Sequence, residues 1–382
     1  WALSNAYKSQ IQLVVASKTM IVGADSSSGI KGANISLSGV EYVTLRNLII
    51  QDAYDPFPHH EVKSDKATSD GYNAQWDCIT IQGDTSHVWI DHCILEDTLT
   101  LDHVYTSGVA SDDYKEKWQT YDGLLDIKGK SEYITVSYTK FKNHDKTSLL
   151  GSDDSEGNDA SSRLITYHHN YFYNCGQRLP MMRNGTFHLY NNVYAYSAGA
   201  YSQQYAMGVR SGSTVYAENN YFGSGIRYAF SAGSGSVGSL YASGNDTSSA
   251  SNVTDSYISV TGTTLFSADG APAAYTYTLD DISAVTDSSS GVAALAGSGD
   301  ATINGNTYGS STGNGTSYVT VTFIANAEDA TITTSSQSVV SGSTSTLKTA
   351  SALGLSRSGY SFTGWATSAD STTVAYEDGA SI

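Results

Sequence analysis

Charge is scarce in this sequence. Only 15% of its 382 residues are Asp, Glu, Lys or Arg, against about 25% in typical soluble domains. The charge present leans acidic, with 37 carboxylates to 20 basic residues and a net −17. A broad nucleic-acid or anionic-membrane surface needs a basic footprint, so both are excluded. A polyanion held locally by a metal and a few cations is not. Cysteine is nearly absent: Cys78, Cys93 and Cys175 are too few for a disulfide framework, an odd number leaves one unpaired, and no Cys-x-x-Cys zinc pattern exists. Apolar runs such as Ile11–Ala16 fall far short of a membrane span. The chain opens at Trp1 with no Met and no signal peptide. That reads as a processed or trimmed piece, and export is inferred from the hydroxyl-rich composition.

What is abundant points one way. With 36 Gly, 28 Tyr and only 4 Pro, the chain suits many strands joined by tight turns rather than disorder. Short β-rich runs recur: Val43–Leu48, Val88–Cys93, Ile134–Thr139, Leu164–His169, Phe187–Asn192 and Val215–Asn220. Aligned on Asn47, His92, Tyr138, His169, Asn191 and Asn219, they are spaced by 45, 46, 31, 22 and 28 residues. The shortest spacing is near the minimum for one coil of three short strands and three turns. The two long spacings hold additional strand-like runs, Asp77–Gln82 and Asp122–Ile127. The pattern predicts a parallel β-helix, in which each coil buries its inner face by stacking on its neighbours. No amphipathic helix of 12 or more residues competes. The β-helix is assigned to residues 1–303 and a Gly/Ser/Asn-rich linker to 304–317. A small β-rich module, read as incomplete, occupies 318–382.

Several residues could carry chemistry. Asp77, Asp122 and Asp126 start or sit within β runs. In a straight strand, residues four apart share a face but lie roughly 13 Å apart at ~3.3 Å per residue, too far to hold one cation. Gly123 lets the chain bend between Asp122 and Asp126. Three carboxylates without thiolates suit a hard cation, best Ca²⁺; solvated turn residues are the plainer reading. Arg178 and Arg183 bracket a proline and could present two guanidinium forks to a carboxylated ligand. Lys146 follows His144-Asp145. His168 and His169 would point to opposite faces of a strand, which excludes joint chelation. The asparagines at repeat positions, Asn170, Asn191, Asn192, Asn219 and Asn220, suit turn caps stacked between coils. Trp76, beside Asp77, is the one aromatic assigned a substrate-stacking role.

These runs resemble pectate lyases. The resemblance rests on Val88–Cys93, on Asp122-Gly123-Leu124-Leu125-Asp126-Ile127-Lys128 and on His144-Asp145-Lys146-Thr147-Ser148-Leu149-Leu150-Gly151-Ser152. His168-His169-Asn170 and Gln177-Arg178-Leu179-Pro180-Met181-Met182-Arg183 complete it, in that family's order. It is specific from about Ile21 to Tyr196 and weaker to about Gly299. It implies a right-handed parallel β-helix and Ca²⁺-dependent β-elimination of polygalacturonate (pectate). Carried over by position, Asp77, Asp122 and Asp126 resemble calcium ligands, and Arg178 the base that removes the C5 proton. Lys146 and Arg183 resemble the groups that hold and neutralise substrate carboxylate, with Lys128 beside them. The family commonly reads Arg-x-Pro-Arg-x-Arg here, whereas this chain has Met181 at the middle arginine. The tail, through Val321-Thr322-Phe323 and Gly359–Trp365, resembles the internalin-type B repeat of bacterial surface proteins.

The resemblance implies a secreted or cell-surface bacterial enzyme, monomeric, with possible wall association through its tail. Three other functions compete with this one. A non-catalytic β-helix that binds acidic glycans predicts loss of Arg178, Lys146 or an acid, and all are present. Pectin lyase, acting on methylated pectin without calcium, replaces the acids with arginine, and the trio is intact. A galacturonan hydrolase needs a separate carboxylate pair poised around water, and none is evident.

Overall fold

A computed structural model of the chain describes residues 2–62, 69–105, 116–154, 163–233, 236–258, 275–297, 301–303, 306–308, 318–327, 329–331, 334–340, 344–369, 371 and 373–382. The all-β parallel β-helix expected from the sequence is what the first part of the chain forms. Three parallel sheets of eight, eight and seven strands run along it. Each coil passes through them in turn. One example runs from Leu125–Ile127 in the first sheet, through Glu132–Ser137 in the second, to Lys140–Lys142 in the third. The next coil begins at Ser148–Leu150, in register on Leu125–Ile127.

The register follows from alternation. In the second sheet Val88 and Ile90 are buried while Trp89 between them is 38% exposed, as period-two strands require. The inward column is continuous: Val43 pairs with Val88, Val88 with Ile134, Ile134 with Ile165, Ile165 with Phe187, and Phe187 with Val215. In the third sheet Phe141, Phe172, Tyr194 and Phe222 stack nearly parallel, with centroids 4.7, 5.0 and 4.7 Å apart. That spacing is the strand spacing itself, so one aromatic per coil fills the interior as a column.

The turn between second and third sheets explains the sequence repeat. Asn47, His92, Tyr138, His169, Asn191 and Asn219 all have positive φ, from 44° to 56°. Asparagine is the residue most often found in that left-handed region after glycine. The following position carries a ladder of buried amides. Nδ2 of Asn170 donates to Oδ1 of Asn192 (3.0 Å), Asn192 to Asn220 (3.0 Å) and Asn220 to Asn245 (2.8 Å). Each of these amides also donates to a backbone carbonyl, so the polar column inside the solenoid is satisfied.

Two expectations need correction. The runs at Asp77–Gln82 and Asp122–Ile127 do hold strands, Ile79–Gln82 and Leu125–Ile127, but these are the ordinary first-sheet strands of their coils and do not account for the long spacings. The extra length lies in two excursions between the third and first sheets, which contribute His59–Val62, Ser69–Asn73, His103–Tyr105 and Glu116–Trp118 to a separate four-stranded sheet. A helix, Ala2–Ile11, precedes the first coil. The His168 and His169 rings do not diverge: their Nδ1 atoms lie 2.9 Å apart, because the left-handed turn at His169 (φ 56°) ends the strand alternation.

By internal contacts the chain divides into two units, residues 1–309 and 310–382. Asn306–Tyr308, inside the stretch expected as linker, pairs antiparallel with Ala301–Ile303; the rest of 304–317 lies outside the described residues. In the second unit Tyr318–Ile324 pairs antiparallel with Thr334–Val340. Phe323 is buried there against Trp365, with ring centroids 4.6 Å apart. Ser345 and Ile382 exchange two backbone hydrogen bonds, at 2.9 and 2.8 Å. All three cysteines are buried free thiols. Among the described residues no helix is long and apolar enough to cross a membrane.

Candidate active site

The first sheet carries the acids. Asp126 sits between Leu125 and Ile127, both inward-facing, so alternation turns its carboxylate outward. Its strand pairs with Ile79–Gln82, which places it opposite Thr80 and beside Asp77. Asp122 arrives from the excursion just before the strand. One ligand oxygen from each of Asp77, Asp122 and Asp126 falls within a 4.8 Å group. The straight-strand separation is therefore abolished, and Gly123 is the reason. A Cβ on Gly123 would lie 2.6 Å from Oδ1 of Asp126 and 2.8 Å from Oδ1 of Asp77. Only glycine lets the backbone come this close, and its N–H donates to Asp77 Oδ1 at 3.0 Å.

Electrostatics mark the cluster as short of positive charge. Burial and the neighbouring Asp126 push Asp77 up to about 7, although Lys128 pulls the other way. Burial also raises Asp122, but Lys146 and Lys128 outweigh it and hold the carboxyl below its usual range. Lys128 is correspondingly raised: burial lowers it, and Asp126 and Asp77 more than compensate. Its Nζ lies 3.0 Å from Asp126 and 3.6 Å from Asp77, so it faces the acids. Thr80 donates to Asp77 Oδ2 (2.7 Å) and the Leu149 N–H to Asp126 Oδ1 (3.1 Å). Three hard oxygen donors, crowded and held from behind, fit a divalent cation such as calcium. Among the described residues this is the one group of three or more acidic, His or Cys side chains so arranged.

The cations lie on the following coils. Lys146 Nζ donates to Asp122 Oδ1 and to Asn73 Oδ1, each at 2.7 Å. Arg178 is half-buried, with φ 60°. Its main-chain carbonyl accepts from Ser148 N–H (2.9 Å), and its Nε is buried with no hydrogen-bond partner among the described residues. Arg183 is buried and turned to Asp154, Nε to Oδ1 at 2.6 Å. Asp154 also accepts from Arg210 at 3.0 Å. The structure thus gathers Asp77, Asp122, Asp126, Lys128 and Lys146, with Arg178 close enough to lower Asp122 electrostatically. Trp76 does not fit its expected role. It is 7% exposed and Lys8 Nζ lies 5.8 Å from its ring centre, so almost no ring face is open to a sugar. Met181, at the position of the missing arginine, is buried under the Tyr205 hydroxyl, 3.3 Å from its sulfur.

Sequence reasoning missed Asn73, Thr80, Asp154 and Arg210. Asn73 and Asp154 come from excursions whose path no local pattern gives. Arg210 stands one coil beyond Arg183: Val209 pairs with Met182, so the residues after them occupy one column of the solenoid.

Comparison with known proteins bears on the same region. The pectate lyase family model matches residues 4–301. The chain belongs to the pectate lyase family. It is 38% identical over 218 residues to pectate lyase E of Dickeya dadantii (strain 3937), covering 56% of this chain and 51% of the relative. It is 37% identical over 215 residues to a pectate lyase of Bacillus subtilis (strain 168), covering 56% and 49%. The chain therefore spans about half the length of the curated relatives it matches. A thermostable pectate lyase structure superimposes with a TM-score of 0.61 at 31% identity, covering 77% of this chain and 71% of that one. A pectate lyase bound to a hexasaccharide gives 0.59 at 28%, with the same coverage.

Proposed function

We propose that this pectate lyase family member cleaves α-1,4-polygalacturonate by calcium-dependent β-elimination, releasing unsaturated oligogalacturonates. The observation that carries the reading is the three-acid cluster beside Lys146 and Arg178, whose Nε has no hydrogen-bond partner among the described residues. Asp77, Asp122 and Asp126 hold the calcium, which supplies positive charge against the uronate carboxylate. Removing the C5 proton loads more negative charge onto a group that is already an anion. Lys146 and Arg183 neutralise it, stabilising the enolate-like intermediate. Arg183 turns from Asp154 to do so. Arg178 takes the C5 proton, the C4–O bond breaks as the C4–C5 double bond forms, and the departing oxygen takes a proton from solvent water. A guanidinium is normally protonated, so this role depends on a dehydrated, cation-rich surround. Absorbance near 235 nm should rise on polygalacturonate and stop rising with EDTA. A rate indifferent to chelator overturns the calcium reading, and no absorbance change overturns the lyase reading.

Calcium binding should be pH-dependent. The raised Asp77 carries a proton below about pH 7 in the metal-free protein. A ligand must be deprotonated, so binding expels that proton, and affinity falls as pH drops, by about tenfold per unit for one proton. Calorimetric titrations from about pH 8 down to about pH 5.5 check the slope that linkage requires. A flat affinity across that range rejects the assignment.

The tail, 318–382, we read as an internalin-type B repeat that anchors or spaces the enzyme at a cell surface. Every residue proposed for the reaction lies between Asp77 and Arg183, on one chain, so a monomer suffices. A polymeric substrate that cannot cross a membrane favours a secreted bacterial enzyme; assay of culture supernatant against cell extract tests this. Proteolysis within 309–317 should leave lyase activity on soluble substrate intact. Loss of activity with the β-helix still folded would place the tail in the catalytic unit.

A further inference from the structure

Asp122 is not anchored by a sheet ladder. It lies outside Leu125–Ile127, at the end of the excursion that leaves the β-helix after Ile94–Glu96. Two side chains of the next coil grip it. Lys146 holds the carboxylate. His144, two residues earlier, holds the main chain: its Nε2 lies 3.0 Å from the Asp122 carbonyl oxygen. A carbonyl only accepts, so this nitrogen carries the hydrogen. The other ring nitrogen, Nδ1, is 2.6 Å from Oδ2 of Asp97. Asp97 is the first residue after Ile94–Glu96. One imidazole therefore bridges the two ends of the 97–122 excursion. Both side chains are 2% exposed, and the Tyr121 ring packs edge-on to the imidazole at 6.2 Å.

We propose that His144 and Asp97 are positioning residues that clasp this excursion at its base and so fix Asp122 for cation binding. The proposal rests on the calcium reading above. A buried ionic pair is a weak source of stability, because desolvation offsets the attraction. What it supplies is direction. The ring can reach both acceptors in only one orientation, and that orientation sets where the Asp122 main chain stops. Partners one step behind a metal ligand commonly govern affinity by about 10–100-fold.

The test is calcium titration of the substrate-free protein by calorimetry, comparing the parent with His144→Gln and Asp97→Asn. Glutamine can reach one acceptor but not both. Asparagine keeps an acceptor for Nδ1 and removes the charge that orients the ring. The dissociation constant should rise about tenfold or more in His144→Gln, and by less in Asp97→Asn. Turnover at saturating calcium should return toward the parent value in both. Ile134→Val, a core substitution remote from the cluster, should lower the melting temperature and leave the dissociation constant alone. If His144→Gln does not fold, Asp97→Asn decides. Parental calcium affinity in the folded variants overturns the clasp, whereas a parent that binds no calcium overturns the calcium reading itself and the clasp with it.

Discussion

Arg178→Lys is expected to lower turnover on polygalacturonate by about 10²–10⁴-fold, the usual contribution of a positioned proton acceptor. The charge survives the change, so a purely electrostatic role would survive with it. What is lost is a planar group delivered at a set height over the cleft. Arg178 is placed by its main chain: its carbonyl accepts from Ser148 N–H (2.9 Å), and the following Leu179 N–H donates to the Ala206 carbonyl (2.8 Å). Its left-handed φ of 60° is rare for a long side chain, and such positions cluster at functional sites. Lysine on the same backbone would project a flexible amine whose single nitrogen is not held where the guanidine nitrogens stand. Steady-state kinetics separate the alternatives. Turnover lost with KM and calcium affinity unchanged supports the base. A raised KM with turnover retained makes Arg178 a substrate clamp, and the proton acceptor must then be sought elsewhere.

How much of this was legible beforehand depended on whether a feature was local. The repeat anchors Asn47, His92, Tyr138, His169, Asn191 and Asn219 came from sequence alignment alone, and they occupy one structural column because each must tolerate a positive φ. The inward alternation of Val88 and Ile90, or of Ile134 and Val136, was equally readable. The acids were visible as residue types; a straight strand would hold Asp122 and Asp126 too far apart to share a cation, and Gly123 was legible as the place where the chain could bend. Gly123 resolved that conflict by a backbone approach whose closeness no spacing rule reports. Trp76 misled because adjacency to Asp77 says nothing of burial, and strand logic failed at His168-His169 because the strand ends between them. His144, Asn73 and Asp154 act across 22 to 73 residues of sequence. Contacts at such separations are set by how excursions fold back, which composition and periodicity do not encode.

Asp126→Ala should abolish calcium-stimulated activity while leaving the β-helix intact, and the cluster's charges explain both halves. The side chain points out of the solenoid from a strand whose flanking residues, Leu125 and Ile127, supply the core. Folding therefore loses one hydrogen bond from Leu149 N–H and the Lys128 contact at 3.0 Å. It also sheds repulsion, because Asp126 is among the groups that drive Asp77 upward. Far-UV circular dichroism should be unchanged. Activity should fall by about 10²–10³-fold, the scale for removing one charge-stabilising group from a reaction centre. The parent should gain about 2.7 kcal/mol of stability from calcium at a hundred times its dissociation constant, and Asp126→Ala should show little of that gain. Asp126→Asn separates charge from shape: its carbonyl can keep the Leu149 bond, so it should match the parent in metal-free melting temperature and match alanine in activity. If instead Asp126→Asn kept both the calcium-induced stabilisation and the rate, Asp126 would be a structural acceptor for Leu149 and the cation would have to sit elsewhere.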